Sequence, residues 1–255
     1  MNQAKTKWVQ KAFRTFAAIA VLASLTIASV CPASAAPKAD TSGEWMYVIE
    51  GGDARIMGCV KRPSGHLSIP SEIDGHAVTE IGTMAFSWCS DVTGVTIPDS
   101  VRRIGHEAFS WSTGITSVTI PNSVRIIDDE AFWYCTNLTA VDIPDSVREI
   151  GDSAFRQCFS ITSVTIPRRV THIGNRAFAH CIRLTNVVIQ EGVTSIGYSA
   201  FEECYKLASV VIPQSVESIG QNAFRRCEDI ILTVMAGSYA EQYARDNAIP
   251  FVYGE

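Results

Sequence analysis

Six cysteines stand out by type and spacing: Cys89, Cys135, Cys158, Cys181, Cys204 and Cys227, the last five separated by 23 residues each. Cysteine chemistry offers disulfide pairing, metal ligation or thiolate attack. Zinc needs closely spaced ligands, and the chain has neither Cys-x-x-Cys nor His-x-x-x-His, so no metal is expected. A disulfide framework suits an exported protein. However, equivalent residues of stacked turns lie about 4.8 Å apart in register, which holds Cβ atoms wider than the mean of about 3.8 Å in disulfides. Cysteine is among the most buried residue types, and thiols in apolar surroundings are inert. The expectation is a structural ladder of buried free thiols, with isolated disulfides as the alternative. Cys59 stands outside the ladder, and its spacing assigns it no partner.

Other reactive types carry less. His66, His76, His106, His172 and His180 fall in no recognisable nucleophile–base arrangement. Gly-x-Ser-x-Gly, His-Glu-x-x-His, a phosphate-cradling glycine loop and an EF-hand loop are all absent. Asp128-Asp129-Glu130 and Glu202-Glu203 read as solvated turn charges rather than a carboxylate pair for glycoside cleavage. No catalytic residue and no cofactor is expected.

Surface positions are more informative. Seven phenylalanines, Phe86, Phe109, Phe132, Phe155, Phe178, Phe201 and Phe224, recur every 23 residues, and two residues past them stand Trp88, Trp111, Tyr134, Gln157, His180, Glu203 and Arg226. Core Phe and Cys flank that position, so Trp88, Trp111 and Tyr134 should project outward beside Trp133 as an exposed aromatic patch. Phe159, Ile182 and Tyr205, each following a ladder cysteine, make a second apolar stripe. Exposed aromatics mark binding surfaces; the alternative is packing on the rim or against an N-terminal hairpin. Flat rings also suit sugars, which keeps a glycan open as ligand. Outward strand positions, including Thr119, Asp142 and Thr165, are small, polar or β-branched and suit an accessible sheet. Arg102, Arg125 and Arg148 stack four residues after successive prolines; solvation beside Asp99, Glu107, Asp145 and Glu149 is expected, against a polyanion or acidic partner.

The elements that position these residues follow from one period. The cycle from Cys135 to Phe155 gives the rule. Leu138, Val141 and Ile143 point inward, the last two in strand alternation. Pro144 lacks an amide proton and starts a bend. Val147 and Ile150 carry the return, Gly151 is read as supplying a conformation that Cβ penalises, and Ala154-Phe155 fills the opposite side of the core. Such a unit cannot bury its apolar face alone, so about seven copies must stack as a solenoid with one parallel strand per turn. Trp45–Ile49 and Ala54–Gly58 flank a Gly-Gly turn and predict an N-terminal β-hairpin cap. Ser238-Tyr-Ala-Glu241 reads as a capping box opening a helix to about Asn247, before a last strand at Ile249–Tyr253.

The repeat x-x-Leu-x-x-Val-x-Ile-Pro-x-x-Val-x-x-Ile-Gly-x-x-Ala-Phe-x-x-Cys resembles the BspA-type leucine-rich repeat family. Its clearest copies run from Leu138 to Cys158, Leu184 to Cys204 and Leu207 to Cys227. Ser112 in place of Cys, Asp128 in place of Gly and Gln190 in place of Pro depart from it, and the first cycle is longer within Ser71–Val78. The resemblance implies a leucine-rich repeat solenoid with a short irregular or helical return. It also implies a surface or secreted interaction protein whose strand face is the usual ligand surface.

The chain of 255 residues divides accordingly: a leader at 1–35, a linker at 36–42, a hairpin cap at 43–66, the repeats at 67–231 and a C-terminal cap at 232–255. The leader is basic, then apolar for 12 residues from Ala17, then small at the cleavage positions before Ala36. That is the order of a secretory signal peptide, too short to span a bilayer. A lipid-modified Cys31 is the minor alternative. Removing the leader's four basic residues takes the formal charge from −5 to −9, which argues against a nucleic-acid partner. No membrane span is expected after cleavage. The function expected is non-catalytic extracellular binding, with host, matrix or other cell-surface proteins as partners. A glycan-binding or glycan-active role and a purely structural envelope role stay open. So do free secretion, surface attachment and the periplasm.

Overall fold

A computed structural model describes residues 36–254; the leader and Cys31 lie outside the described residues. Within them the 23-residue period becomes a β-solenoid of about nine turns. Each turn has three walls, and each wall has its own way of satisfying the backbone.

The first wall is the expected parallel strand. Ser163–Ile166 and Asn186–Ile189 alternate exposed and buried residues. Val164, Val187, Val210 and Leu232 pair in register, so one inward column is continuous. Strands at Gly65–Ser68, Val92–Thr96, Ser117–Thr119 and Ala140–Val141 form a four-stranded sheet. Five more, from Ser163–Ile166 to Phe251–Tyr253, form a second. The first and last of these strands extend the ladder beyond the rungs marked by Phe. At the wall's end the proline supplies no amide but accepts one: Val147 N–H donates to Pro144 O across 3.0 Å, and Val170 to Pro167 likewise at 3.0 Å. The bend is thus a closed turn in each copy.

The short return adds a feature that residue spacing alone does not reveal. Two-residue strands such as Arg103–Ile104, Ile126–Ile127 and Glu149–Ile150 pair in parallel and make a second, narrow ladder along the solenoid. The glycine that follows each isoleucine acts differently from expectation. Gly151 is not among the left-handed residues; what it permits is close approach. A Cβ on it would lie 2.5 Å from the Asp129 amide nitrogen, and one on Gly174 would lie 2.4 Å from the Gly151 carbonyl group.

Left-handed backbone falls instead on non-glycine residues, two per turn. Those two before each Phe, such as Glu130 (φ 57°) and Ser153 (φ 56°), and those two after, such as Tyr134 and Gln157 (both φ 60°), all have positive φ. Each such residue costs about 1–2 kcal/mol relative to ordinary backbone. The conformation turns amides along the solenoid axis, giving three rungs to the next turn. Glu130 N–H donates to Asp152 O at 2.9 Å, Phe132 to Ala154 O at 2.8 Å and Tyr134 to Arg156 O at 2.9 Å. Buried backbone groups need partners, and these rungs supply them without a helix.

The core is a column of phenyl rings. From Phe86 to Phe224 successive centroids lie 5.2–5.6 Å apart, with interplanar angles of 17° or less. Both ends of the column meet a perpendicular aromatic. Trp45, in the antiparallel hairpin of Trp45–Glu50 with Asp53–Cys59, contacts Phe86 edge-on at 6.3 Å and 84°. Tyr243, in the helix Tyr239–Asp246, contacts Phe224 at 6.4 Å and 67°. Ser238 caps that helix, its side chain accepting the Glu241 amide.

Candidate binding surfaces

The cysteine ladder is internal. All six thiols are free and buried, and five lie 3.2–3.3 Å from a carbonyl oxygen of the preceding turn: Cys135 from Phe109, Cys158 from Phe132, Cys181 from Phe155, Cys204 from Phe178 and Cys227 from Phe201. Each thiol donates to a carbonyl that also accepts the amide three residues on, as Phe132 O does from Cys135 N–H at 3.2 Å. Ser112 does the same with its hydroxyl, 2.7 Å from Phe86 O, and also accepts the Cys89 amide at 3.0 Å. Cys89, at the start of the ladder, donates to Ser87 O at 3.7 Å within its own turn. Burial pushes the Cys135, Cys181 and Cys227 thiols up to about 12, and those of Cys158 and Cys204 well above the ordinary range. Cys59, half-buried, is raised to about 11 by burial. The six ladder thiols belong to the core.

The exposed aromatic patch is instead a half-buried ridge. Trp88, Trp111, Trp133 and Tyr134 are all half-buried, because their rings pack on each other. In-register turns bring Trp111 to 4.5 Å from Trp88 at 7° and to 4.0 Å from Tyr134 at 28°, so both of its faces are covered. Trp133 meets Trp111 edge-on at 5.5 Å and fixes its own indole N–H on Gln157 Oε1 at 2.9 Å. Tyr134 meets Phe159 edge-on at 5.7 Å, which joins the two expected stripes into one ridge. At its N-terminal end Arg62 donates to the Trp88 carbonyl oxygen.

Further along, the same column becomes polar. His180 Nδ1 lies 3.0 Å from Glu203, Arg226 pairs with Glu203 at 2.6 Å, and Tyr205 donates its hydroxyl to Glu203 at 2.7 Å. The Tyr205 hydroxyl, first, then His180 and Arg226 hold the Glu203 carboxyl below its ordinary range. Tyr205 therefore belongs to a charged cluster, while Ile182 between it and Phe159 is exposed.

On the strand wall Thr119, Asp142 and Thr165 are exposed. Thr165 opens a row that runs in register through Val188, Val211, Thr233 and Val252. Val188, Val211 and Val252 are 42%, 50% and 51% exposed, so the C-terminal half of this face is flat and apolar. Val188 and Val211 follow Thr165 at the 23-residue period, whereas Thr233 and Val252 fall off it, so the period alone does not reach the row's end.

These walls match a known repeat. The model of the BspA-type leucine-rich repeat region matches residues 67–173 and 103–231, in six copies. The chain belongs to the BspA-type leucine-rich repeat family. Among solved structures, this BspA-type chain is similar to the T. pallidum leucine-rich repeat protein TpLRR. They share 26% identity over 85% of this chain and 98% of that one, with a TM-score of 0.71. A leucine-rich repeat protein from Bacteroides ovatus shares 30% identity over 74% of this chain, with a TM-score of 0.68. A leucine-rich cell surface protein from Faecalibacterium prausnitzii shares 33% over 79%, with a TM-score of 0.70. The chain spans 51% and 56% of the lengths of these last two. No curated protein matches it. Among the described residues no helix is long and apolar enough to cross a membrane.

Proposed function

We propose that this BspA-type protein is an exported, non-catalytic binding protein whose aromatic ridge docks a protein partner. The observation that carries this reading is the packing of Trp88, Trp111, Trp133, Tyr134 and Phe159 into one ring-to-ring ridge, held at half burial by a rigid backbone. Trp and Tyr dominate interface hot spots, and a pre-organised ridge loses little side-chain entropy on docking. Sugar stacking needs open ring faces, whereas Trp111 has both faces covered and the ridge presents edges; that favours protein over glycan. The cell-surface relative from Faecalibacterium prausnitzii and the basic, then apolar, leader support export, with matrix, host or cell-surface proteins as the partner class.

The test is binding to a panel of purified extracellular-matrix and surface proteins by the parent chain and by a Trp111→Ala/Tyr134→Ala variant. At least one protein should bind the parent, and the variant should lose about tenfold or more, as two hot-spot truncations would. Equal binding by a variant with an unchanged circular dichroism spectrum would rule the ridge out. N-terminal sequencing of the exported protein should read Ala36 first.

A further inference from the structure

Arg102, Arg125 and Arg148 form a second feature, on a different wall. The Arg125 amide donates to Arg102 O and the Arg148 amide to Arg125 O, both at 2.8 Å, so the three residues are adjacent rungs of one ladder. All three are exposed, and among the described residues none makes an ion pair with a carboxylate. Asp128, an acid that follows the return strand of Ile126–Ile127, is already held by Arg103. Three like charges at ladder spacing repel one another, and no direct ion pair holds any of them.

From this geometry we infer an anion-binding track for a linear polysaccharide that carries one negative group per sugar unit. The spacing selects the ligand. Rungs repeat every 4.8 Å or so, close to the advance of one pyranose unit, so a chain whose successive units turn their charges to one side meets every rung. An extended acidic peptide presents same-face carboxylates about 6.8 Å apart, two residues on, and one DNA strand presents phosphates about 3.4 Å apart along the axis. Both fall out of step within three rungs. Guanidinium groups match sulfate or carboxylate in bidentate geometry and keep their charge at any physiological pH. The overall negative charge of the chain does not oppose this, since at about 0.15 M salt charges beyond roughly 8 Å are screened while the track touches its ligand.

The experiment uses the protein without its leader and four probes: heparin for sulfate, polygalacturonate for carboxylate, dextran as the neutral chain and a single-stranded oligonucleotide for phosphate. Binding is measured at two salt concentrations for the parent and for Arg102→Gln/Arg125→Gln/Arg148→Gln. A second triple variant, Lys61→Gln/Arg183→Gln/Lys206→Gln, makes the same change of charge at exposed basic residues off the track. Heparin, polygalacturonate or both should bind the parent and dextran should not. The track variant should lose about tenfold or more and about three units of salt slope, one for each arginine replaced. Arg125→Gln alone should lose about one unit of slope, which keeps the test valid if the triple variant unfolds. Heparin alone would assign sulfate; polygalacturonate alone, carboxylate. Failure of both polyanions to bind, equal loss in the off-track variant, or tighter binding of a single-stranded oligonucleotide would overturn the proposal. None of these results bears on the aromatic ridge.

Discussion

The Ser112 hydroxyl lies 2.7 Å from the carbonyl oxygen of Phe86, in the place where five later turns put a thiol against the carbonyl of the preceding Phe. Serine and cysteine are thus interchangeable as donors there, and what the position requires is a small side chain carrying a hydrogen. Cys158→Ser should fold and keep its stability to within about 1 kcal/mol, because the bond is retained. Cys158→Val fills the space but leaves the Phe132 carbonyl with only the Cys135 amide, and should cost about 0.5–1.5 kcal/mol. Chemical denaturation of both variants checks this; equal stabilities would show that the rung bond contributes nothing.

Thiol reactivity should separate Cys59 from the ladder. The thiolate is the attacking form, so at pH 8 a thiol raised to about 12 is ionised in only about one molecule in ten thousand. Burial adds a steric block. Brief treatment of the native protein with iodoacetamide should label Cys59 first, and denaturant without reductant should expose all seven free cysteines of the described chain. Intact-mass counting reads both numbers. Fewer than seven adducts in denaturant would reveal disulfides.

The glycine after each return isoleucine is a matter of clearance between turns. An alanine methyl at Gly174 would sit 2.4 Å from the Gly151 carbonyl group, which is backbone and cannot rotate aside. Gly174→Ala should cost about 1–3 kcal/mol through overpacking. A thermal melt equal to the parent's would mean that neighbouring turns separate freely.

Acid should loosen the C-terminal helix. Hydrogen bonds from Arg245, from the Gly237 amide and from the Tyr253 hydroxyl hold the Glu241 carboxyl near 2, from an ordinary value of 4.5. A depressed folded value means that the carboxylate's contribution is complete above 4.5 and is lost as pH falls toward 2. Stability followed over that range should fall in the parent and fall less steeply in Glu241→Gln. Parallel curves would show that Glu241 does not anchor the helix to the last strand.

Much of this architecture was legible because it repeats. Phe86 through Phe224, Ile81 through Ile219 and Val101 through Val216 each occupy one position, and a shared position in a stacked fold means a shared column. The capping box at Ser238 was legible because its bond is local. Other features depended on backbone angles that residue types conceal. Trp111 looked outward from its neighbours, yet its left-handed φ of 60° and the tight stacking of turns close both ring faces. Gly151 looked like a left-handed residue, whereas Ser153 takes that role and glycine only clears a path. Val252 lay off the period and so off the pattern, although it completes the apolar row.

Trp45 and Tyr243 close the phenyl column by contacting Phe86 and Phe224, which are copies of one repeat residue. Each closure thus meets a ring of a kind that every turn supplies. Whole turns can therefore be inserted or deleted between the ends without redesigning them, and length becomes an adjustable gauge in steps of one rung, about 4.8 Å. Copy number would set how far apart two sites on the same wall stand while leaving each site intact.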